Sequence, residues 1–192
     1  MNFTKEEIKE LIISALVIGF VFAWVERARF YQMNFLEIFV VMLLAVGPAF
    51  IFHELAHKFV AQRRGCIAHY KMWETGLILA FFLAVSLKII FAAPGAVYIR
   101  PIYFFNISRR DNGEIAAAGP LSNILLAIVF LALTHIGGIL ALVGSLGFMI
   151  NSWLAFFNLL PFPPLDGSKV LAWDFRIWLA LVLLSLGLMF IF

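Results

Sequence analysis

The segment Phe52-His53-Glu54-Leu55-Ala56-His57 lies inside a long apolar run that holds few other ionisable residues. His53 and His57 are four residues apart, so on a helix they lie on one face, one turn from each other. Two imidazoles placed in this way can bind one Zn²⁺, and Glu54 between them can act on a metal-bound water. Because ionisable groups are costly inside a lipid bilayer, this cluster indicates a functional site.

The composition predicts an all-α polytopic membrane protein in a lipid bilayer. Of the 192 residues, 64% are hydrophobic and 13% are charged, whereas soluble domains are about 45–50% apolar and about 25% charged. The net charge of +3 is typical of loops at a membrane surface and does not indicate a nucleic-acid partner. The single cysteine, Cys66, excludes an internal disulfide. The first apolar run lacks a convincing cleavage site, so we expect it to remain as a span.

Apolar runs predict five or six transmembrane helices, with a short membrane-associated β segment between them. A basic loop with Cys66 and His69 is expected after the second span, a turn at 111–113, and irregular backbone at 161–167 because of its prolines. Turn residues followed by β-branched residues at 92–103 predict a turn and one or two short strands. We expect a single membrane-embedded domain over 1–192. The runs lie at 8–25, 35–60, 76–91, 114–135, 139–160 and 177–192. The core is about 35–172, and 8–25 and 177–192 are peripheral helices.

The run 76–91 either crosses the membrane or re-enters it, and the charge distribution favours re-entry. Lysines and arginines crowd at 58–71 and at 100–110, and re-entry leaves both clusters on the side of the amino terminus. The positive-inside rule then makes that side cytosolic. His53 lies toward the exit end of its span, which predicts an integral protein of the cell membrane with its active site toward the cytosolic side.

Asp166 is the best candidate for a third metal ligand. It follows three prolines in an apolar environment, where a carboxylate must be paired or coordinate a metal. The alternative is that Asp166 caps a helix that starts near Ser168, a common role for aspartate. Two histidines and one carboxylate leave a fourth position of a tetrahedral zinc site for water.

Two segments of the chain, in this order, resemble motifs of the site-2 protease family of intramembrane zinc metalloproteases. They are His53-Glu54-Leu55-Ala56-His57 and Asn158-Leu159-Leu160-Pro161-Phe162-Pro163-Pro164-Leu165-Asp166-Gly167, and Gly119-Pro120-Leu121-Ser122-Asn123 resembles that family's small-residue motif. The resemblance covers about 35–172. It implies that His53, His57 and Asp166 bind one Zn²⁺ per chain and that Glu54 is the catalytic base.

The resemblance also implies a substrate site. Asn158 is expected to hold the substrate or the developing oxyanion, and the alternative is a structural interhelical hydrogen bond. Val97, Tyr98 and Ile99 match the family's strand segment, which can pair with an unwound transmembrane protein substrate; the alternative is a simple connecting hairpin. The run 76–91 is longer than in the family pattern, and no PDZ-like or CBS-like module is recognised.

The predicted function is that of an intramembrane zinc metalloprotease, which hydrolyses peptide bonds of membrane-spanning substrates with a zinc-bound water activated by Glu54. A metal or proton transporter is the alternative from another class, although it would require polar residues along the first and last spans. A catalytically silent scaffold is disfavoured by the intact motif. Asn123 is expected to pack between helices, and Glu74 either gates the site or faces solvent.

Overall fold

The computed structural model describes residues 3–91, 93–102 and 107–191, and in this part of the chain it contains seven helices and two strands. Tyr103, at the end of the expected strand segment, and Phe192 lie outside the described residues. The helices are α1 (Lys5–Glu26), α2 (Phe35–Arg63), α3 (Glu74–Leu87), α4 (Arg109–Leu133), α5 (Gly138–Asn158), α6 (Asp166–Trp173) and α7 (Phe175–Met189). The strands are β1 (Cys66–Met72) and β2 (Gly95–Pro101).

Four helices are long and apolar enough to cross a membrane, namely α1, α2, α4 and α5. The helices α3 and α7 have 14 and 15 residues, which give about 21 and 22 Å of helix rise. A hydrocarbon core is about 30 Å thick. Among the described residues the structure therefore has four candidate spans, and the predicted count of five or six is not confirmed.

Side-chain caps set where several helices begin. The carbonyl oxygen of the Asn34 side chain accepts from the backbone N–H of Glu37 at the start of α2, and the Glu37 carboxylate accepts from the Asn34 N–H. Ser108 caps α4 in the same way, because its hydroxyl oxygen accepts from the Asp111 N–H at 3.0 Å. The predicted turn at 111–113 is wrong, since this cap starts the helix at Arg109 and the helix continues through the glycine.

The two strands pair antiparallel, from Cys66 opposite Pro101 to Met72 opposite Gly95. This confirms the strand expected after the turn near Pro94. The prediction of a basic loop around Cys66 and His69 is wrong, because both residues lie in β1. The burial of its residues alternates with a period of two, but the polar residues at the exposed positions hide the strand in the sequence. The backbone of β1 is paired by β2, which follows about 30 residues later in the chain.

The segment between the two strands leaves the sheet and returns to it at the same end. The Trp73 N–H donates to the Pro94 carbonyl at 2.9 Å, so the two ends of the excursion meet. Between them α3 lies along α1, where the Phe20 and Phe81 rings stack with centroids 5.3 Å apart. Ala80 and Ala84 of α3 are buried in the same contact. The excursion through α3 therefore begins and ends at the same end of the sheet.

The core surrounds α2, which contacts α1, α4 and α5. Small side chains of α2, such as Ala45 and Ala49, are fully buried there against residues of the other three helices, including Ile18, Ala127 and Leu146. Because α2 is enclosed in this way, its last turns bring the histidines into the interior of the molecule.

Candidate metal centre

Three side chains from two helices meet at one buried point. The Nε2 atoms of His53 and His57 are 3.0 Å apart. Oδ2 of Asp166 lies 3.3 Å from Nε2 of His53 and 3.1 Å from Nε2 of His57. Each of the three residues is 8% exposed. The structure therefore brings together the two helical histidines and the distant carboxylate that the sequence singled out.

The hydrogen bonds of Asn123 determine which nitrogen of His53 carries the proton. The Asn123 amide nitrogen donates to the Ala49 carbonyl and to Oδ1 of Asn151, both at 2.9 Å. Its side-chain oxygen therefore faces Nδ1 of His53, 2.6 Å away. Because an amide oxygen only accepts, Nδ1 must be the donor, and the Nε2 lone pair of neutral His53 points into the centre.

The second histidine is oriented by the backbone of α4. Nδ1 of His57 lies 2.7 Å from the carbonyl oxygen of Ile115, so this nitrogen also carries the proton. Two nitrogen lone pairs and a carboxylate oxygen then face one another, which is unfavourable unless a cation lies between them. Tetrahedral zinc with ligand bonds of 2.0–2.1 Å separates its ligand atoms by about 3.3 Å, and the three observed separations fit that size.

Asp166 is the first residue of α6, and its carboxylate faces the imidazoles. The residue in the N-cap position is Leu165, and no side chain caps the helix there. Nζ of Lys169 lies 3.5 Å from Oδ1. A deprotonated carboxylate is the form that binds a metal.

Glycine is required at two positions around the centre. A Cβ atom at Gly119 would lie 2.6 Å from Cε1 of His57 and 2.7 Å from Cε1 of His53, so α4 can approach the imidazoles only without a side chain there. A Cβ atom at Gly167 would overlap the Leu159 carbonyl in the same way. The absence of a side chain at Gly167 lets the 159–165 loop fold tightly and present Asp166 to α2.

Glu54 is buried beside the three ligand candidates. It is 9% exposed, and its carboxylate interacts electrostatically with His53, His57 and Asp166. Oε2 of Glu54 accepts a hydrogen bond from the backbone N–H of Val97 at 3.1 Å. The edge of β2 that faces away from β1 therefore lies against this carboxylate.

The remaining predicted site residues occupy different surroundings. The Tyr98 ring stacks on His69 of β1, with centroids 6.3 Å apart, on the exposed face of the sheet. Ile99 packs on a buried cluster that includes Ala68. The Asn158 amide donates to the Leu154 carbonyl of its own helix at 3.0 Å, so the described contact is intrahelical and not interhelical.

Sequence reasoning missed part of this arrangement. Asn151 and the Ile115 carbonyl had no role in the prediction, and Asn123 was expected only to pack. Asn123 does connect α2, α4 and α5, and in doing so it also orients His53. The available signal was the presence of two asparagines in apolar spans, where polar side chains need partners.

Curated relatives carry names that agree with this site. The chain is 44% identical over 191 residues to "Putative zinc metalloprotease MJ0611" of Methanocaldococcus jannaschii, which covers 98% of this chain and 95% of the relative. YwhC of Bacillus subtilis has the same description and is 30% identical over 76% of this chain and 73% of its own length. Rip2 of Mycolicibacterium smegmatis, also so described, is 26% identical over 84% of this chain and 67% of its own length.

No family model and no solved structure matches the chain. The match to the first relative spans nearly the full length of both proteins. Zinc is accordingly the cofactor, and His53, His57 and Asp166 form a group that could hold it. The chain belongs to the site-2 protease family of zinc metalloproteases.

Proposed function

We propose that this protein is an intramembrane protease that hydrolyses peptide bonds of transmembrane protein substrates, with His53, His57 and Asp166 as zinc ligands and Glu54 as the catalytic base. One observation carries the proposal: the Glu54 carboxylate lies between the converging ligand set and the outer edge of β2. A hydrolytic site and a surface that can hold an extended peptide are thus adjacent.

The positions of the basic residues support a cytosolic location of the site within the cell membrane. Arg63, at the end of α2, and Lys71, in β1, lie at the same end of the helices as the start of α1. Arg27 and Arg29 lie in the loop at the opposite end. Because cytoplasmic loops carry an excess of lysine and arginine, the end that holds the metal centre is the cytosolic one.

Glu54 performs the proton transfers of the proposed reaction. Zinc, when bound, supplies Lewis acidity that polarises the scissile carbonyl and lowers the pKa of water to about 7. The Glu54 carboxylate takes a proton from the attacking water and then gives it to the leaving amine, since it is a buried carboxylate beside the ligand set. The hydrogen bonds of Asn123 and Ile115 keep both imidazoles oriented during these steps.

Asn158 is the proposed oxyanion donor. Its amide uses one proton for the Leu154 carbonyl, and the second proton is available for a developing negative charge. A donor of this kind contributes about 2.7–4 kcal/mol to stabilisation of the transition state. Its place at the end of α5, eight residues before Asp166, brings it to the end of the molecule that carries the metal centre.

Substrate is proposed to bind as an added strand on β2. A helical substrate hides its amide bonds, so it must unwind before it is cut, and an unwound chain needs hydrogen-bonding partners in an apolar environment. The outer edge of β2 offers backbone groups of Val97 and Ile99, next to Glu54. Strand addition uses such an edge, and the Tyr98 side chain then lies on the outer face.

The decisive experiment compares the wild-type protein with Glu54→Gln on a purified single-span substrate. We expect the substitution to lower the cleavage rate by about 10²–10⁴-fold, the usual contribution of a positioned base, while the zinc content per chain stays unchanged. Glu74→Gln, at an exposed glutamate of α3, is the matched control and should cleave normally. Metal flux into liposomes that persists in Glu54→Gln, without any cleavage by the wild type, would instead identify a transporter.

A further inference from the structure

Helix α1 carries a stripe of buried polar residues on one face. Glu7, Glu10 and Ser14 follow one another at spacings of three and four residues, which places them on the same side of a helix. Their exposures are 2%, 5% and 0%, although most of the neighbouring residues of α1 are apolar. Buried carboxylates need partners, and in this protein the partners belong to the sheet and to α2.

Each residue of the stripe is hydrogen-bonded to β1. Oε1 of Glu7 accepts from the Tyr70 N–H at 2.8 Å, and Oε2 of Glu10 accepts from the Met72 N–H at 2.8 Å. The Ser14 hydroxyl lies 2.9 Å from the Tyr70 hydroxyl. Two successive outward-facing amides of the strand therefore end on carboxylates of α1.

The register of the sheet explains why these amides are available. Tyr70 lies opposite Val97, and Met72 lies opposite Gly95. The Tyr70 N–H donates to Glu7 and the Val97 N–H donates to Glu54. The two residues therefore form a non-hydrogen-bonded pair, in which both amides point away from the partner strand. The carboxylates of α1 occupy the place that a third strand would take beside β1.

The two edges of the sheet consequently differ. The outer edge of β1 is closed by Glu7, by Glu10 and by the Gln62 amide, which donates to the Ala68 carbonyl at 3.5 Å. On the outer edge of β2 the Val97 N–H bonds to Glu54, and within the described residues no protein group bonds to the Ile99 N–H. An unpaired edge is a template for another strand.

Glu7 also connects this arrangement to the metal-binding turn. Nζ of Lys58 lies 2.5 Å from both carboxylate oxygens of Glu7, and Lys58 is 1% exposed. Lys58 follows His57 directly in α2, so one carboxylate contacts both β1 and the helix that carries the histidines. Glu10 pairs in a similar way with Lys71 of β1, at 2.7 Å.

We propose that Glu7 and Glu10 are positioning residues for substrate: they fix β1 against α1 so that the open edge of β2 stands at Glu54 and, of the two edges of the described sheet, is the one that receives an unwound substrate strand. This inference rests on the proposed function, in which substrate binds by strand addition. It assigns α1, expected from the sequence to be a peripheral helix, a direct part in substrate placement.

The test uses Glu10, because its partner Lys71 is half-exposed and remains solvated when the carboxylate is removed. In the full-length protein, Glu10→Ala should speed amide exchange of Met72 and raise KM for a single-span substrate about tenfold, the loss expected for one charge-assisted hydrogen bond. Its kcat and zinc content should stay within about twofold of the wild type. Glu10→Gln keeps an acceptor for the Met72 N–H and should restore both exchange and KM.

Two further variants keep the result interpretable. Glu6→Ala removes an exposed carboxylate from the same turn of α1 and should change neither amide exchange nor KM. Glu7→Gln keeps an acceptor for the Tyr70 N–H but removes the charge opposite Lys58, so it serves as a second measurement of the same effect if Glu10→Ala fails to fold. It should raise KM with zinc retained.

The outcomes separate this proposal from the proposed function. Faster exchange in Glu10→Ala with an unchanged KM would overturn the positioning role while leaving the protease intact. Loss of zinc and of kcat in both Glu10→Ala and Glu10→Gln would also overturn it, because the residue would then only support the fold. A wild-type protein that binds zinc but cleaves no substrate would refute the proposed function, and the exchange data would still report whether α1 holds β1.

Discussion

His53 presents its Nε2 lone pair to the metal centre because of a chain of hydrogen bonds that begins at its other ring nitrogen. The Ala49 carbonyl and Asn151 fix the orientation of the Asn123 amide, and that amide fixes the proton of His53 on Nδ1. Residues that orient a metal ligand in this way usually change metal affinity by about 10- to 100-fold when they are mutated. Side chains of α4 and α5 that do not contact the metal should therefore contribute to the zinc affinity.

We expect Asn123→Ala to weaken zinc binding by about 10- to 100-fold, since Nδ1 of His53 would lose its acceptor and the ring its orientation. Competition with a chromogenic chelator measures the affinity directly. Asn123→Asp retains an acceptor oxygen for Nδ1 and should lose less affinity than Asn123→Ala. Equal affinity in Asn123→Ala and the wild type would show that the hydrogen bond does not orient the ligand.

At the scale of single residues, the sequence predicts the candidate metal ligands but not the asparagines that orient them. His53 and His57 are recognisable because helical geometry places residues four apart on one face, and Asp166 because a carboxylate among apolar residues needs a partner. Asn123 and Asn151 lie 28 residues apart, and each contacts atoms outside its own helix. No local pattern encodes such contacts, so they required the three-dimensional structure.

The outer edge of β2 is the element with the most direct relation to the proposed reaction. It carries the Val97 N–H toward Glu54 and leaves the Ile99 N–H open within the described chain. The strand ends at Pro101, which has no N–H to offer and so limits the length of any added strand. These features place the proposed binding groups beside the base in space, although Val97 and Glu54 are 43 residues apart in the chain.

Replacing Ile99 with proline should remove one binding group from this edge without opening the ladder to β1, because the lost N–H points outward. We expect Ile99→Pro to raise KM about tenfold, as for the loss of one well-made hydrogen bond, with zinc content unchanged. Ile99→Val keeps the backbone N–H and has a side chain about as small as that of proline, so it should behave as the wild type. A KM that rises equally in both variants would assign the effect to packing.

The strands show how far local sequence signals extend. β2 was expected because turn residues precede a run of β-branched and aromatic residues. β1 was assigned to a loop, since its exposed face carries His69 and Lys71 among the apolar positions. Its stability depends on β2 and on the carboxylates of α1, and all of these partners are distant in the chain.

Across the whole molecule, the chain enters and leaves the sheet at the end of the helices that carries the metal centre. The contacts of Lys71 with α1, of Arg64 with Glu114 in α4 and of Asp166 with the histidines all lie at that end. The four long helices then connect it to the opposite end, where Arg27 and Arg29 are found. For the apolar runs 76–91 and 177–192, composition predicts apolar helices but does not reveal how a short helix is oriented; in the structure they form the shorter helices α3 and α7.

Cysteine labelling can test this arrangement, since Cys66 is the chain's single cysteine and can be replaced by serine. In sealed vesicles of one orientation, cysteines introduced at Glu74, Arg100 and Arg109 should react with a membrane-impermeant maleimide from the same side. A cysteine at Gln32 should react from the other side. Labelling of Glu74→Cys and Arg100→Cys from opposite sides would mean that α3 crosses the bilayer, and the re-entrant geometry would be rejected.

The hydrogen bond between the Val97 amide and Glu54 has a consequence for the resting enzyme. A backbone N–H serves one strong acceptor at a time, so an incoming peptide carbonyl that captures this proton leaves the carboxylate oxygen without it. Under the proposed mechanism, docking of a polypeptide on the strand therefore also frees the carboxylate oxygen that acts on water. The base is then expected to become available only when a polypeptide is correctly seated.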